Sequence, residues 1–516
     1  MKFHWKVLVW MLAGVIVGLA VQRFAPGSPT LGASWRAAGG GLELASLRSR
    51  GPLDTANDKN DAGELAVGER VLAAVLHKGT PDEERVALAE PADVDRIVGA
   101  MEQGDVLRLV EEGGEEHIVT LALDPDSSRA SWIAPFDFVA DIFMALLKML
   151  IVPIVLTSII TGVAGVGTFG DRKRLGGKTF AYYLSTSFLA ILVGQVLVSL
   201  VRPGDGASLG LARLEPGDAP DESFLEVLKR MVPPNVLEAL GDNGAMLSII
   251  FFALLFGYAI TQTPSPHRER AKEIFEALCQ VMMTMASMVL KLLPYGVFAL
   301  MVRVVAKTGF GVFEPLLVYM ATVAGALVLH ACVTLPIVLR VFGGVSPRRW
   351  FQAMAPALMT AFSTSSSSMT LPVTLETVER RGRVSGRITS FTLPLGATIN
   401  MDGTALYECI GVIFLAQYYA GISPEFSLTM ADQGLVVAMA LLASIGAAGI
   451  PSAGLVMMLA ILAALGLPLE GAALLLAVDR PLDMMRTVVN VWSDSCGAAV
   501  IARSEGETGP LEAGAA

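Results

Sequence analysis

The segment Asp479–Asp494 reads DRPLDMMRTVVNVWSD and follows directly on the apolar run GAALLLAV (471–478). At about 100° per residue, Asp479, Asp483, Arg486, Asn490 and Asp494 fall within an arc of roughly 80°, with Thr487 at its edge. This is one polar stripe on an otherwise apolar helix. An ionisable residue at the centre of a membrane helix costs roughly 2.5–3.5 kcal/mol on insertion scales, so the stripe marks either a functional site or a structural ion-pair network.

Charge weighs against the structural network. Asp402, in the sequence NMDGT (400–404), also lies in an apolar stretch. Asp402, Asp483 and Asp494 are three acids, and Arg486 offsets one of them. The nearby spans offer no base for the other two. A buried, uncompensated carboxylate must be protonated or paired. Bound cations would do this, and carboxylates together with backbone carbonyls from broken helices suit a hard cation such as Na⁺. Arg486 is then free to hold a substrate carboxylate through two parallel hydrogen bonds. Asp483, one turn away, calls for an ammonium on the same substrate. Together they describe an acidic amino acid rather than a neutral one or a plain C4-dicarboxylate.

Two segments upstream are apolar but interrupted. One is APALMTAFSTSSSSMTLPVTLETV, broken at Ser363–Ser368 and Pro372. The other is LLASIGAAGIPSAGLVMMLAIL, broken at Gly446, Gly449, Pro451 and Gly454. Neither half spans a bilayer alone. Irregular backbone at membrane depth is tolerated only where protein or a water-filled cavity surrounds it. Two such segments point to a transporter's binding site, against the plainer reading of two kinked helices.

The rest of the chain agrees with a membrane setting. It has 516 residues, 53% hydrophobic and 17% charged, with mean hydropathy +0.59. A soluble domain is about one quarter charged. Apolar stretches begin near Val7, Phe136, Tyr182, Met246, Leu278, Leu316, Phe391, Leu435 and Gly471; a spanning helix needs about 20 such residues. The first, after MKFHWK, also admits reading as a signal peptide, but no clear A-x-A site follows it. The basic clusters Lys2/Lys6, Arg172–Lys178, His267–Lys272, Arg348/Arg349 and Arg380–Arg387 fall on one side. That side is the cytoplasm by the positive-inside rule, which puts both termini there, in a cell (inner) membrane. A net charge of −10 argues against nucleic acid. The four cysteines form no CxxC and the histidines no HExxH, which removes a zinc-dependent intramembrane protease. No nucleophile–base set supports an enzyme.

Residues 25–134 interrupt this pattern as a soluble, acidic, extracytoplasmic insertion. The stretch ADVDRIVGAM reads as a helix, and GDVLRLVEEGGEEHIVTLALD as two strands joined at Gly113–Gly114, with Val106, Arg108 and Val110 alternating. With GELAVGERVLAAV before it, the insertion resembles a PDZ-type module, or is an unspecific α+β insertion. A sensor that reads a ligand through this module remains an alternative to transport. The short tail EGETGPLEAGAA (505–516) carries no output domain.

SSSSMTLP, PLGATINMDGTALYE, GAAGIPSAG and DRPLDMMRTVVNVWSD, in that order, resemble the dicarboxylate/amino acid:cation symporters, the glutamate transporter family. The resemblance covers about 136–503 and the first span. It implies an all-α polytopic protein of eight transmembrane helices and two re-entrant hairpins, near 350–380 and 434–467. It also implies a homotrimer with an elevator mechanism. Helices one, two, four and five would be scaffold; three, six, seven and eight with both hairpins would move. The chain then divides into the first helix (1–24), the insertion (25–134), helices two to six (135–345), the transport core (346–505) and a disordered tail (506–516).

By the same resemblance, Arg486 holds the substrate's side-chain carboxylate and Asp483 its α-amino group. Asn490, Thr404, Ser366 and Ser367 hold the α-carboxylate beside Thr487, and Gly449–Ile450 close the second hairpin. Sodium falls to Asp494 with carbonyls near Gly396, Asn400 and Asn490. A second ion falls to Thr398, Ser444, Ile445, Ala447 and Met401, and a third to Tyr183, Thr186, Ser187, Asn400 and Asp402. Glu408 matches a position that carries a proton in some members, so H⁺ is a candidate second coupling ion. The family usually keeps a second arginine near the site. Its two positions are Ser365 and Met484 here, which leaves Asp483 without its usual partner and glutamate and aspartate as equal candidates.

Overall fold

The computed structural model describes residues 3–27, 29–39, 41–48, 53, 65–76, 84–101, 106–114, 116–166, 173–207, 229, 231–242, 245–422, 426–446, 453–469 and 471–510. The chain divides into two compact units.

The first unit takes in Met1–Phe143, Gly206–Asp218 and Leu293–Pro315. It opens with helix α1 (Phe3–Phe24). The insertion follows as β1 (Pro29–Thr30), β2 (Ala33–Ala38), β3 (Gly41–Leu47), β4 (Arg70–Leu76), β5 (Glu84–Ala87), α2 (Pro91–Ala100), β6 (Val106–Glu111), β7 (Glu116–Thr120) and β8 (Ala122–Leu123). Its main sheet runs β2-β3-β4-β6-β7, with β5 joined to β4. The expected helix and glycine-turn hairpin are both present, and Val106 lies opposite Thr120 across the hairpin. The strand β6 buries apolar residues on both of its faces. Leu107 and Leu109 are buried with Leu42, Leu44, Val71, Val94 and Ile97, while Val110 packs with Ala73 and Val75 on the reverse face. Successive side chains point to opposite faces, so LRLV offers an apolar residue to each. Pro29 pairs with Leu123, which brings the two ends of the insertion together.

The second unit takes in Met144–Asp205, Ala219–Leu292 and Leu316–Ala516. The remaining helices of the chain are α3 (Ser128–Val166), α4 (Lys173–Val201), α5 (Val236–Leu240), α6 (Met246–Gln262), α7 (His267–Leu290), α8 (Leu293–Thr308), α9 (Phe313–Leu329), α10 (Leu335–Gly343), α11 (Pro347–Thr364), α12 (Ser367–Arg380), α13 (Gly386–Ile399), α14 (Asp402–Ile422), α15 (Met430–Gly446), α16 (Ala453–Ala464) and α17 (Gly471–Ser504). Among the described residues, Ser128–Ala164, Arg174–Val201, His267–Leu290, Gly309–Gly343 and Gly386–Gly421 are long and apolar enough to cross a membrane; Val9–Phe24, Ser248–Gln262 and Met430–Ser444 are shorter apolar helices. The protein is a mostly helical, polytopic membrane protein.

Both interrupted segments form paired helices. In the first, α11 and α12 pack together around a tip at Ser365–Ser366. Ser365 takes left-handed backbone (φ 51°), and the Ser366 side chain caps α12 by accepting from Met369 N at 3.2 Å. Serine is favoured there because its hydroxyl replaces a missing helical acceptor. In the second, α15 and α16 flank residues 447–452, which lie outside the described residues along with Ala447, Gly449 and Ile450. Observed helix limits of 347–380 and 430–464 run slightly wider at their starts than the sequence suggests. The long helix α17 packs against α10 to α14, with the π-helical turn His330–Thr334 also touching it. Where the sequence suggests a disordered tail from 506, Glu507 accepts from Ser385 N at 3.1 Å and Arg503 donates to Pro510 O at 3.2 Å; residues 511–516 lie outside the described residues.

Candidate substrate and cation site

Everything described here lies within the second unit. The site begins at a break. Helix α13 ends at Ile399, Asn400 leaves helical geometry (φ −106°, ψ 81°), and α14 restarts at Asp402. Pro394 in α13 removes one backbone donor, and the gap at 400–401 leaves carbonyls without helical partners. NMDGT thus lies at a helix end and a helix start in the interior.

Asp402 is fully buried. Its Oδ1 accepts from Ser187 Oγ at 2.7 Å and Thr186 Oγ1 at 3.4 Å; its Oδ2 accepts from Ser493 Oγ at 2.6 Å. Thr186 also donates to Asn400 Oδ1 at 3.4 Å. Asn400 Nδ2 donates to Asp494 Oδ1 at 2.8 Å and to Ser493 Oγ at 3.1 Å. Tyr183, buried on α4, donates its hydroxyl proton to Thr392 O at 2.9 Å. Gly396 admits this arrangement, because a Cβ there would strike Asp494 Oδ1 and come within 2.7 Å of the Tyr183 hydroxyl. Tyr183, Thr186, Ser187, Gly396, Asn400, Asp402 and Asp494 therefore form one buried, oxygen-rich cluster. Among the described residues, neither Asp402 nor Asp494 has an arginine or lysine partner.

The expectation that no base meets Asp402 needs a correction. His330 is fully buried, with Nε2 3.2 Å from Asp402 Oδ2 and Nδ1 unpartnered. It stands in the apolar run HACVT, where the π-helical turn shifts the side-chain phase. A count of lysines and arginines alone passes over it.

The second cluster is on α17. Arg486 is buried, and its Nη2 donates to Asp479 Oδ1 at 3.0 Å and Asp483 Oδ1 at 2.9 Å. Its guanidinium carbon lies 3.8 Å over the Tyr407 ring. Among the described residues Nε and Nη1 have no partner, and a Cβ at Gly454 would stand 2.8 Å from Nη1. A guanidinium with two donors still open can hydrogen-bond a carboxylate. Thr487 bonds back to Asp483 O at 2.8 Å.

A second correction concerns Asp483. Its Oδ2 accepts from Arg480 Nη1 at 2.9 Å, so it has two arginine partners despite Ser365 and Met484. Arg480 lies 60° from Asp483 around the helix, outside the stripe's arc but at the i,i+3 spacing that brings side chains together.

Asn490 joins the clusters. Its Oδ1 accepts from Gly403 N at 2.8 Å, and its Nδ2 donates to Met401 Sδ at 3.2 Å and Thr404 Oγ1 at 3.3 Å. Ser366 and Ser367 are buried at the first hairpin's tip. Of the second expected ion set, Met401 touches Asn490, Ile445 lies in the last turn of α15, and Thr398 is exposed with its hydroxyl turned back to Leu395 O at 2.8 Å. Ser444 lines a small cavity with Tyr183, Ser187 and Ile399. These residues do not share a described contact, and Ala447 lies outside the described residues. Glu408 is fully buried, and among the described residues both its carboxylate oxygens lack a partner.

Residues 114–504 match the sodium:dicarboxylate symporter family. The chain is 35% identical over 375 residues to the proton/glutamate-aspartate symporter of Escherichia coli, covering 71% of this chain and 84% of the relative. It is 34% identical over 386 residues to the proton/sodium-glutamate symport protein of Bacillus subtilis, with 73% and 87% covered. It is 33% identical over 420 residues to excitatory amino acid transporter 3 of Homo sapiens, with 71% and 78% covered. The chain belongs to the sodium:dicarboxylate symporter family.

Proposed function

We propose that this protein is a sodium-coupled symporter of L-glutamate or L-aspartate, and not an enzyme. One observation carries the reading: among the described residues, buried Arg486 keeps two donors free beside Asp483, while Asp402 and Asp494 lie in an oxygen cluster without arginine or lysine. The free donors take the substrate's side-chain carboxylate, and Asp483 takes its ammonium. Thr404 and Asn490, with the tip serines Ser366 and Ser367, take the α-carboxylate. Two buried acids require compensating cations. Sodium at Asp494 with Asn400, and at Asp402 with Tyr183, Thr186 and Ser187, supplies them from the medium. Glu408, buried without a partner, is placed to carry a proton.

Family membership supports a homotrimer in the cell membrane, eight spanning helices with the two hairpins re-entrant, both termini cytoplasmic, and an elevator motion of the site-bearing helices. Uptake of labelled aspartate and glutamate into proteoliposomes tests the reading. A sodium gradient should drive accumulation. Full uptake on a proton gradient alone, without sodium, would sink sodium coupling. Competition by succinate or alanine, with none by aspartate or glutamate, would sink the substrate class.

A further inference from the structure

We infer that Arg480 is a specificity-determining positioning residue: by holding Asp483 Oδ2, it keeps Arg486 available to an anionic substrate. The inference rests on the acidic amino-acid reading above.

The geometry is a chain of ion pairs along one side of α17. Arg480 Nη1 holds Asp483 Oδ2 at 2.9 Å, while Arg486 Nη2 is shared between Asp483 Oδ1 and Asp479 Oδ1. Two acids thus meet two arginines, and the cluster is neutral before substrate arrives. Each oxygen of Asp483 is engaged by a different guanidinium, which fixes the carboxylate's plane. Arg486 then needs only Nη2 for its own helix, and among the described residues Nε and Nη1 stay free. Arg480's side chain is 12% exposed and Asp483's 8%, so the pair sits where solvent screens it little.

Removing the Arg480 charge changes this in two ways. Two acids would then compete for one guanidinium, and the freed Asp483 oxygen would draw on Arg486's remaining donors. The cluster would also become net negative where a net-negative amino acid must bind. A neutral amino acid meets neither penalty, because it brings no side-chain carboxylate and its ammonium still finds Asp483. The loss therefore falls on acidic substrates selectively. A residue that merely supported α17 would lower transport of both classes together.

The test compares the unaltered chain with Arg480→Gln and Arg480→Lys in proteoliposomes, measuring KM for aspartate and inhibition by serine. Arg480→Gln should raise the aspartate KM about tenfold or more while serine inhibits as well as before or better. Arg480→Lys keeps the charge and should restore most of the preference. Where the glutamine variant does not fold, Arg480→Met keeps the apolar stem's packing and gives the same readout. An aspartate-to-serine ratio unchanged within about twofold in the uncharged variant, or equal losses for both, overturns the inference while leaving acidic amino-acid symport standing. Absence of acidic amino-acid uptake by the unaltered chain overturns both.

Discussion

Asp494→Asn removes one charge from the cation cluster and almost nothing else. The side chain is buried and keeps its shape as an amide, whose oxygen still accepts from Asn400 Nδ2 at the 2.8 Å position. The fold is therefore expected to survive. What is lost is attraction between the carboxylate and a nearby cation. At a separation of about 4 Å and an effective dielectric of about 20 this is near 4 kcal/mol, and relaxation around the amide brings it to roughly 2–4 kcal/mol. The half-saturating sodium concentration should then rise roughly 30- to 1,000-fold. Proteoliposomes loaded with potassium and diluted into graded sodium, with labelled aspartate outside, measure it directly. Because Asn490 ties the cation break to Thr404, the aspartate KM at fixed sodium should rise as well. An Asp494→Asn variant with unchanged sodium dependence and full uptake would refute the assignment of the cluster to sodium.

Three other outcomes follow from the same geometry. Arg486→Cys deprives the side-chain carboxylate of its partner, a loss of about 2–5 kcal/mol, so acidic uptake should fall at least roughly 30-fold and neutral amino acids should gain; retention of aspartate preference in competition assays would contradict the role. Gly396→Ala sets a methyl group against Asp494 Oδ1 and the Tyr183 hydroxyl, so thermal stability should drop by about 1–3 kcal/mol and sodium dependence should weaken, and a variant with unaltered sodium titration argues against a tight site. Replacing residues 30–122 by a short turn should leave sodium-driven uptake intact, since Pro29 and Leu123 are already paired and a turn can join them; loss of transport with the assembly intact would assign the insertion a working role.

The membrane class, both paired-helix segments and most of the polar site are legible in the sequence, for reasons that lie in particular residues. The stripe on α17 is visible because helix periodicity is strict over an unbroken run, and NMDGT because a helix break needs residues that tolerate it. Arg480 escaped because a helical wheel groups residues by angle, whereas a long side chain reaches across 60° to its i+3 neighbour. His330 escaped because a π-helical turn shifts the phase by which its facing is judged. The glycines locate the hairpin in the insertion, but the alternation does not choose a buried face, since Leu107, Leu109 and Val110 put apolar residues on both faces. Local turn chemistry locates the bend; only packing decides which face is inside.

The corrected charges sharpen the coupling argument. The sequence leaves an excess of two negative charges somewhere among Asp402, Asp483 and Asp494. In the structure Asp483 and Asp479 are met by Arg480 and Arg486, so the acids without an arginine or lysine among the described residues are Asp494 and Asp402, the latter beside His330. The substrate cluster is neutral without help, and the cation cluster is not. Between them lies one short break, residues 400–401, followed by the first turn of α14. Asn400 touches Asp494, Asp402 belongs to the cation cluster, and Gly403 and Thr404 bond to Asn490 on the substrate side. A cation that pulls Asn400 and Asp402 into register therefore also fixes the donors of Gly403 and Thr404. Without it, two like charges repel across the break, and the first turn of α14 is held against that repulsion by hydroxyl and amide donors such as Ser187, Ser493 and Asn400. Ordering that turn costs conformational entropy whichever ligand comes first, and the first to bind spares the second that cost. Substrate and cation affinities must then rise together, by equal factors in each direction.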